Sequence, residues 1–189
     1  MKFFTSDTHA FHKRIVEFTN RGIETDIVGH TDWLINKINS SVKAGDLLYI
    51  LGDVAFSNDF DKVAGFLERI NGQKIVVKGN HDDTSLLEDL ADYGVIQKWD
   101  HIVTTKVKDK HVVMCHYPIM SWDRQRYGSW HLHGHSHGNL SEPKGLMLDV
   151  GIDNSYNLFG THKVFSEDDI ETFMLSQKIH VADAHRSYE

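Results

Sequence analysis

Apolar and polar positions alternate along this chain in two distinct regimes. In the first half, continuous apolar runs alternate with segments of helical period. KFFTSD opens as a short strand running into a loop, and Asp46–Leu51 and Lys74–Val77 read as strands buried on both faces. Between them, Trp33, Leu34, Ile38 and Val42 recur at helical spacing over Asp32–Val42, with Thr31 or Asp32 available as a cap. Over Asp59–Ile70, residues Phe60, Val63, Ala64, Leu67 and Ile70 share one helix face, and Asn71-Gly72 ends it. Ser85–Tyr93 predicts a short helix. The second half is mostly strand. Ile102–Val107 and His111–Cys115 alternate about Lys108-Asp109-Lys110 as a hairpin, Trp130–Leu132 and Leu146–Val150 follow, and Ser166-Glu-Asp-Asp169 opens a last helix. Alternating β and α units followed by strands predict an α/β fold of two stacked sheets flanked by helices.

The chain has 189 residues, two prolines and neither repeat nor linker, so a single domain over 1–189 is expected. The aperiodic stretch 180–189, with His180 and His185 too isolated to form a site, is expected to be a loose tail. No apolar run approaches the ~20 residues of a membrane helix, and MKFFTSDTHA is too short for a signal peptide. The lone Cys115 excludes an internal disulfide. Together these predict a cytoplasmic protein with no membrane partner. A formal charge of -7 argues against an extended nucleic-acid surface. The 14 histidines, many in tight pairs, point to metal chemistry instead.

Five short motifs each follow a predicted strand: Asp7-Thr-His9, Gly52-Asp53, Gly79-Asn80-His81-Asp82, Cys115-His116 and Gly134-His135-Ser-His137. Residues two apart in extended chain face the same way, so Asp7 and His9 are expected to converge. The same parity relates His135 and His137, which can serve different ions. Asp53 sits where a carboxylate could bridge two metals, and Asn80 offers a neutral amide oxygen. Mixed imidazole and oxygen donors suit Mn, Fe, Zn or Ni better than Ca or Mg. Alternation turns Cys115 away from His116 and reads it as a buried thiol.

This ordered set resembles the calcineurin-like metallophosphoesterases, whose pattern is D-x-H, G-D, G-N-H-[DE], H and G-H-x-H. The resemblance runs from Phe3 to about Ile170. SDTHAFHK, GHSHGNL and LDVGIDN narrow it to the small phosphoesterases of bacteria and phages. It implies a four-layer α/β/β/α sandwich and two divalent ions, Mn first, with Fe, Zn or Ni as the other candidates. One ion would be held by Asp7, His9, Asp53 and His137, the other by Asp53, Asn80, His116 and His135. The implied activity is hydrolysis of a phosphodiester or phosphomonoester by in-line attack of a bridging hydroxide, Asp53 and His81 being catalytic. His81 is read as general acid, with a plain transition-state hydrogen-bond donor as the alternative. The expected partner is a small phosphorylated substrate, a nucleotide or short oligonucleotide being favoured. A scaffold protein on the same fold and an amide or ester hydrolase are the competing readings. Gly52-Asp53-Val-Ala-Phe56-Ser57 lacks the acidic residue and Arg of the protein phosphatases, which argues against that activity and leaves the orienting partner of His81 unassigned; Asp82 and Asp83 lie near it in sequence.

Four residues have weaker claims on substrate. Arg124 and Arg126, in an aromatic-rich loop, either clamp phosphate or are solvated. His12 and Arg14 either contact phosphate or a metal ligand, or act as capping and surface residues. His131 and His133 read as structural residues or as supports behind the metal ligands.

Overall fold

The computed structural model describes residues 1–19, 21–23, 26–141, 143–180 and 182. The tail expectation at 181 and 183–189, including His185, lies outside the described residues; His180 is exposed beside Gly145.

The elements run β1 (Lys2–Thr5), α1 (Ile15–Phe18), α2 (Ile27–Asn39), β2 (Leu47–Ile50), α3 (Phe60–Glu68), β3 (Gln73–Val77), α4 (Thr84–Asp92) and β4 (Lys98–Asp100). The second half holds β5 (Ile102–Val107), β6 (Lys110–Cys115), β7 (Trp130–His133), β8 (Met147–Asp149), α5 (Ile152–Phe159), β9 (Phe165–Ser166) and α6 (Glu167–Leu175). The first sheet has the order β4-β3-β2-β1-β9, parallel except for β9. The second is β5-β6-β7-β8, antiparallel only at the β5–β6 hairpin.

Strand alternation divides the core. Phe3, Leu48, Ile50 and Val76 face a cluster with Leu34 and Ile38 of α2, Val63 and Leu67 of α3, and Leu87 and Leu90 of α4. Their neighbours Phe4, Tyr49, Ile75 and Val77 face the other way, onto Val112, Met114, Leu132 and Leu148 of the second sheet. Both faces of β1–β3 are therefore apolar, which is why these strands read as continuous runs. The far face of the second sheet is covered by Val113, Trp122 and Met147. The result is an α/β sandwich of two stacked mixed sheets flanked by helices, as the sequence predicts.

Local signals set most boundaries. Asp59 and Asp83 accept N–H bonds from Lys62 and Leu86 and so cap α3 and α4, and Ser166 with Asp169 forms a capping box on α6. The helix expected over Asp32–Val42 is displaced: α2 begins at Ile27, capped by Asp26 through Gly29 N–H. Thr31 and Asp32 lie inside it, and Thr31 Oγ1 donates to Ile27 O. Buried His30 and Thr31 extend the packed face toward the N-terminus, a burial that period counting on apolar residues overlooks. No described helix is long and apolar enough to cross a membrane.

Candidate metal centre

All five motifs leave the C-terminal ends of strands: Asp7–His9 after β1, Gly52-Asp53 after β2, Gly79–Asp82 after β3, His116 after β6 and Gly134–His137 after β7. Parallel pairing of β1–β3 and of β6–β7 puts these ends on one edge of each sheet, the usual place for ligands in α/β folds. The loops stay paired beyond the strands, with Asp7 N–H donating to Gly52 O at 3.0 Å and His9 N–H to Asp53 O at 2.9 Å. Gly134 N–H reaches His116 O at 2.9 Å.

The convergence does not arise from extended chain. Asp7, His9, Asp53, His135 and His137 have φ of 57°, 46°, 53°, 68° and 48°, in the left-handed region. Each such residue costs about 1–3 kcal/mol unless its surroundings hold it. Three glycines make room for the crowding. A Cβ on Gly79 would overlap Asp53 Oδ1, and one on Gly134 would overlap Ser6 Oγ. On Gly52 it would meet His116 Nδ1 at 2.6 Å. Each motif's glycine is thus the surface on which another motif's side chain sits.

The donor atoms fall into two neighbourhoods. His9 Nε2 lies 3.9 Å from Asp7 Oδ1 and 3.6 Å from Asp53 Oδ2, and His137 Nε2 lies 3.8 Å from Asp7 Oδ1. His116 Nε2 is 3.6 Å from the same Asp53 Oδ2 and 3.0 Å from Asn80 Oδ1, which also faces His135 Nδ1 at 3.0 Å. Asp7, His9 and His137 form one potential ion-binding group, and Asp7, Asp53 and His116 another, each with donor atoms within 4.8 Å of one another. Asp7 as well as Asp53 therefore lies between the neighbourhoods. Separations of 3.6–3.9 Å are too long for hydrogen bonds. They approach the spacing of donors that share one ion at about 2.0–2.2 Å. Both ring nitrogens of buried His9 lack any hydrogen-bond partner. A buried polar atom without a partner is costly, and a cation among these donors removes that cost. The residues fit a metal ion.

Burial dominates the electrostatics. It pushes the Asp7 carboxyl up to about 7, against the pull of His137 and His116. It holds His9 well below the ordinary imidazole value, with His137 and Arg21 adding to the effect. Burial opposes ionisation of Asp153 too, but its hydrogen bond to His137 and the Arg21 guanidinium leave it well below the carboxylate range.

His81 is exposed, and its ring lies 5.5 Å from that of His9 and 5.6 Å from that of Phe56. Its backbone N–H donates to Asp53 Oδ1 at 2.9 Å. Neither neighbouring aspartate orients the His81 ring. Asp83 caps α4, and buried Asp82 accepts the N–H groups of Asp53, Val54 and Gly79 at 2.8–2.9 Å. Asp82 thereby clips the Gly52-Asp53 loop to the Gly79-Asn80 loop. Asp149 does the same for the last motif, taking Ser136 Oγ–H and the N–H groups of Gly138 and Gly151.

The weaker candidates separate. His12 borders the cluster, its ring 5.8 Å from His9 and 4.4 Å from exposed Phe56. Arg14 pairs with Glu17 at 2.8 Å and covers the Phe18 ring. Arg124 and Arg126 are exposed on a loop anchored by buried Trp122 and Gln125, and Arg124 faces Asp123 at 3.7 Å. His131 donates from Nδ1 to Val113 O and accepts Ile119 N–H at Nε2, a structural neutral imidazole; burial and His133 lower its pKa to about 4. Cys115 is buried. Sequence reasoning missed Asp82, Asp149, Arg21 and Asp153 as supports. Asp149 and Asp153 fall in LDVGIDN, the one signal that pointed toward them.

No protein-family model matches the chain. It is 28% identical over 158 residues to an uncharacterized protein of Methanocaldococcus jannaschii, covering 80% of this chain and 81% of that one. It is 26% identical over 178 residues to the gene 66 protein of Mycobacterium phage L5, covering 79% and 85%. Among solved structures, it resembles a protein of unknown function from Aquifex aeolicus (TM-score 0.66, 23% identity, 92% and 98% coverage). It also resembles a protein described as a novel archaeal phosphodiesterase (TM-score 0.53, 21% identity, 84% and 87% coverage). At these identities the structural likeness establishes the shared fold.

Proposed function

We propose that this chain is a metal-dependent phosphoesterase of the calcineurin-like type. The observation that carries the reading is the buried donor cluster in which both His9 nitrogens lack a partner while carboxylate oxygens stand 3.6–3.9 Å away. The resemblance of the five motifs and the fold shared with an archaeal phosphodiesterase support it. Asp7, His9, Asp53 and His137 would hold one ion, and Asp53, Asn80, His116 and His135 the other, with Mn²⁺ the first candidate. Bound there, divalent ions would acidify a water and neutralise phosphoryl oxygens.

The chain's own residues supply the rest. Asp82 and Asp149 fix the loops that carry the donors, so little reorganisation is needed when substrate arrives. His81 stands at the open side of the cluster, where its ring can give a proton to the departing alkoxide oxygen. Beyond it lies a depression of about 350 Å³ lined by Phe56, Ser57, Asn58 and His81. That space suits a bulky leaving alcohol and favours a diester or nucleotide over a small monoester.

The test is hydrolysis of bis(p-nitrophenyl) phosphate and p-nitrophenyl phosphate by chelator-treated protein restored with Mn²⁺. Turnover that requires Mn²⁺ and disappears in Asp53→Ala is the expected result, with the diester cleaved faster. Protein that binds Mn²⁺ but turns over neither ester would favour a scaffold role, and protein that binds no metal would refute the reading.

A further inference from the structure

Arg21 is the largest fully buried side chain among the described residues. It lies outside any helix or strand, 14 residues from Asp7 along the chain. A guanidinium has five N–H donors, and here every one is used. Nε donates to Asp153 Oδ1 at 2.9 Å, and Nη2 donates to Asp153 Oδ2 at 3.0 Å and to Asp7 O at 2.7 Å. Nη1 donates to Thr8 O and to His30 Nε2, both at 2.8 Å. His30 accepts this bond, so its ring is neutral and protonated at Nδ1.

We propose that Arg21 is a positioning residue for the metal cluster, holding three of its donors at once. The proposal rests on the metal-site reading above. Two of the five bonds take the carbonyls of Asp7 and Thr8, in the turn where Asp7 and His9 adopt left-handed backbone. They form only while those carbonyls point inward, so the cation locks the turn that aims both side chains. Two more form a fork with Asp153, whose Oδ2 accepts His137 Nδ1–H at 2.7 Å. That bond fixes the tautomer of His137 and leaves Nε2 facing Asp7. The other neighbourhood is braced separately. His116 Nδ1 donates to Leu51 O at 2.7 Å, and among the described residues neither Arg21 nor Asp153 hydrogen-bonds to Asn80, His116 or His135. Asp7 borders both groups, but His9 and His137 belong to one, so disturbing the brace should weaken the Asp7–His9–His137 group more than the other. Loss of a buried ion pair that served stability alone would weaken folding and leave metal affinity unchanged.

Two substitutions test this in the full chain. Asp153→Asn keeps the shape but removes the charge and one acceptor, and Arg21→Lys keeps the charge but not the five-donor fork. Leu67→Ala, in the α3 core, controls for lost stability. Mn²⁺ binding to each metal-stripped protein is followed by electron paramagnetic resonance, with circular dichroism to verify folding. For variants that fold only with metal, release of Mn²⁺ to a competing chelator gives the same comparison. Both variants should bind one Mn²⁺ about 10–100-fold more weakly than wild type and the other with a clearly smaller loss. Activity should fall at limiting Mn²⁺ and recover at saturation. Leu67→Ala should melt earlier yet bind Mn²⁺ as wild type does. Wild-type affinity for both ions in Asp153→Asn and Arg21→Lys, or an equal weakening of both ions, would overturn the proposal. If wild type itself binds no Mn²⁺, the metal-site reading fails first and the proposal falls with it.

Discussion

Asp82→Asn should destabilise the protein although it changes one atom. Asp82 Oδ1 accepts Val54 N–H at 2.9 Å, while Oδ2 accepts Asp53 N–H at 2.9 Å and Gly79 N–H at 2.8 Å. An amide has one oxygen. Its better orientation keeps the Asp53 and Gly79 bonds and turns the NH₂ group onto Val54 N–H. One hydrogen bond to a charged group is lost, worth about 1.5–3 kcal/mol, and a buried donor is left facing a donor, at about 1–3 kcal/mol. These effects overlap. Burial also raises the Asp82 carboxyl's pKa, so the neutral amide recovers part of the desolvation cost. A net loss of about 2–4 kcal/mol follows. Urea unfolding followed by the fluorescence of the four tryptophans measures it. With a slope of about 2 kcal/mol per molar, the midpoint should fall by about 1–2 M. Because the lost bond is to Val54, the neighbour of Asp53 in the same loop, Mn²⁺ affinity should fall as well. A midpoint shift under about 0.3 M with unchanged Mn²⁺ binding would refute the reasoning.

His81→Ala should lower kcat by about 10²–10⁴-fold and leave Mn²⁺ binding intact, with the larger loss on alkyl than on p-nitrophenyl leaving groups. Equal losses on both, measured in parallel kinetic assays, would favour the plain hydrogen-bond donor. Gly134→Ala should cost about 1–3 kcal/mol in thermal melts and weaken Mn²⁺ binding. Its Cβ would overlap Ser6 Oγ and come within 2.5 Å of Asp7 Oδ2. Gly65→Ala, with nothing within 4 Å, should instead stabilise α3 by about 0.5–1 kcal/mol. His131, lowered to about 4 by burial, stays neutral in the folded protein while the unfolded chain protonates it near 6.5. The unfolded state therefore binds the extra proton as pH falls from 6.5 toward 4, and this one group destabilises the fold by about 3 kcal/mol at pH 4. Urea midpoints across that range should fall more shallowly for His131→Gln than for wild type.

The sequence alone determined the features that rest on near neighbours. Apolar runs at β2 and β3 announced strands buried on both faces, and the period of Val63, Ala64 and Leu67, ended by Asn71-Gly72, announced α3. The motif order picked out residues that the structure brings together, although two-residue parity predicts that Asp7 and His9 converge from extended chain. Asp7, His9, His135 and His137 instead sit at left-handed positions, which no two-residue parity could reveal. Tertiary structure alone decided what holds them there. Asp153 meets Arg21 across 132 residues of sequence, and Asp82 meets Asp53 across 29. A polar side chain leaves no periodic trace of its burial, because its partners are fixed by how the sheets stack. The chain's local pattern therefore announced the donors, and only the packed fold disclosed the buried charges that aim them.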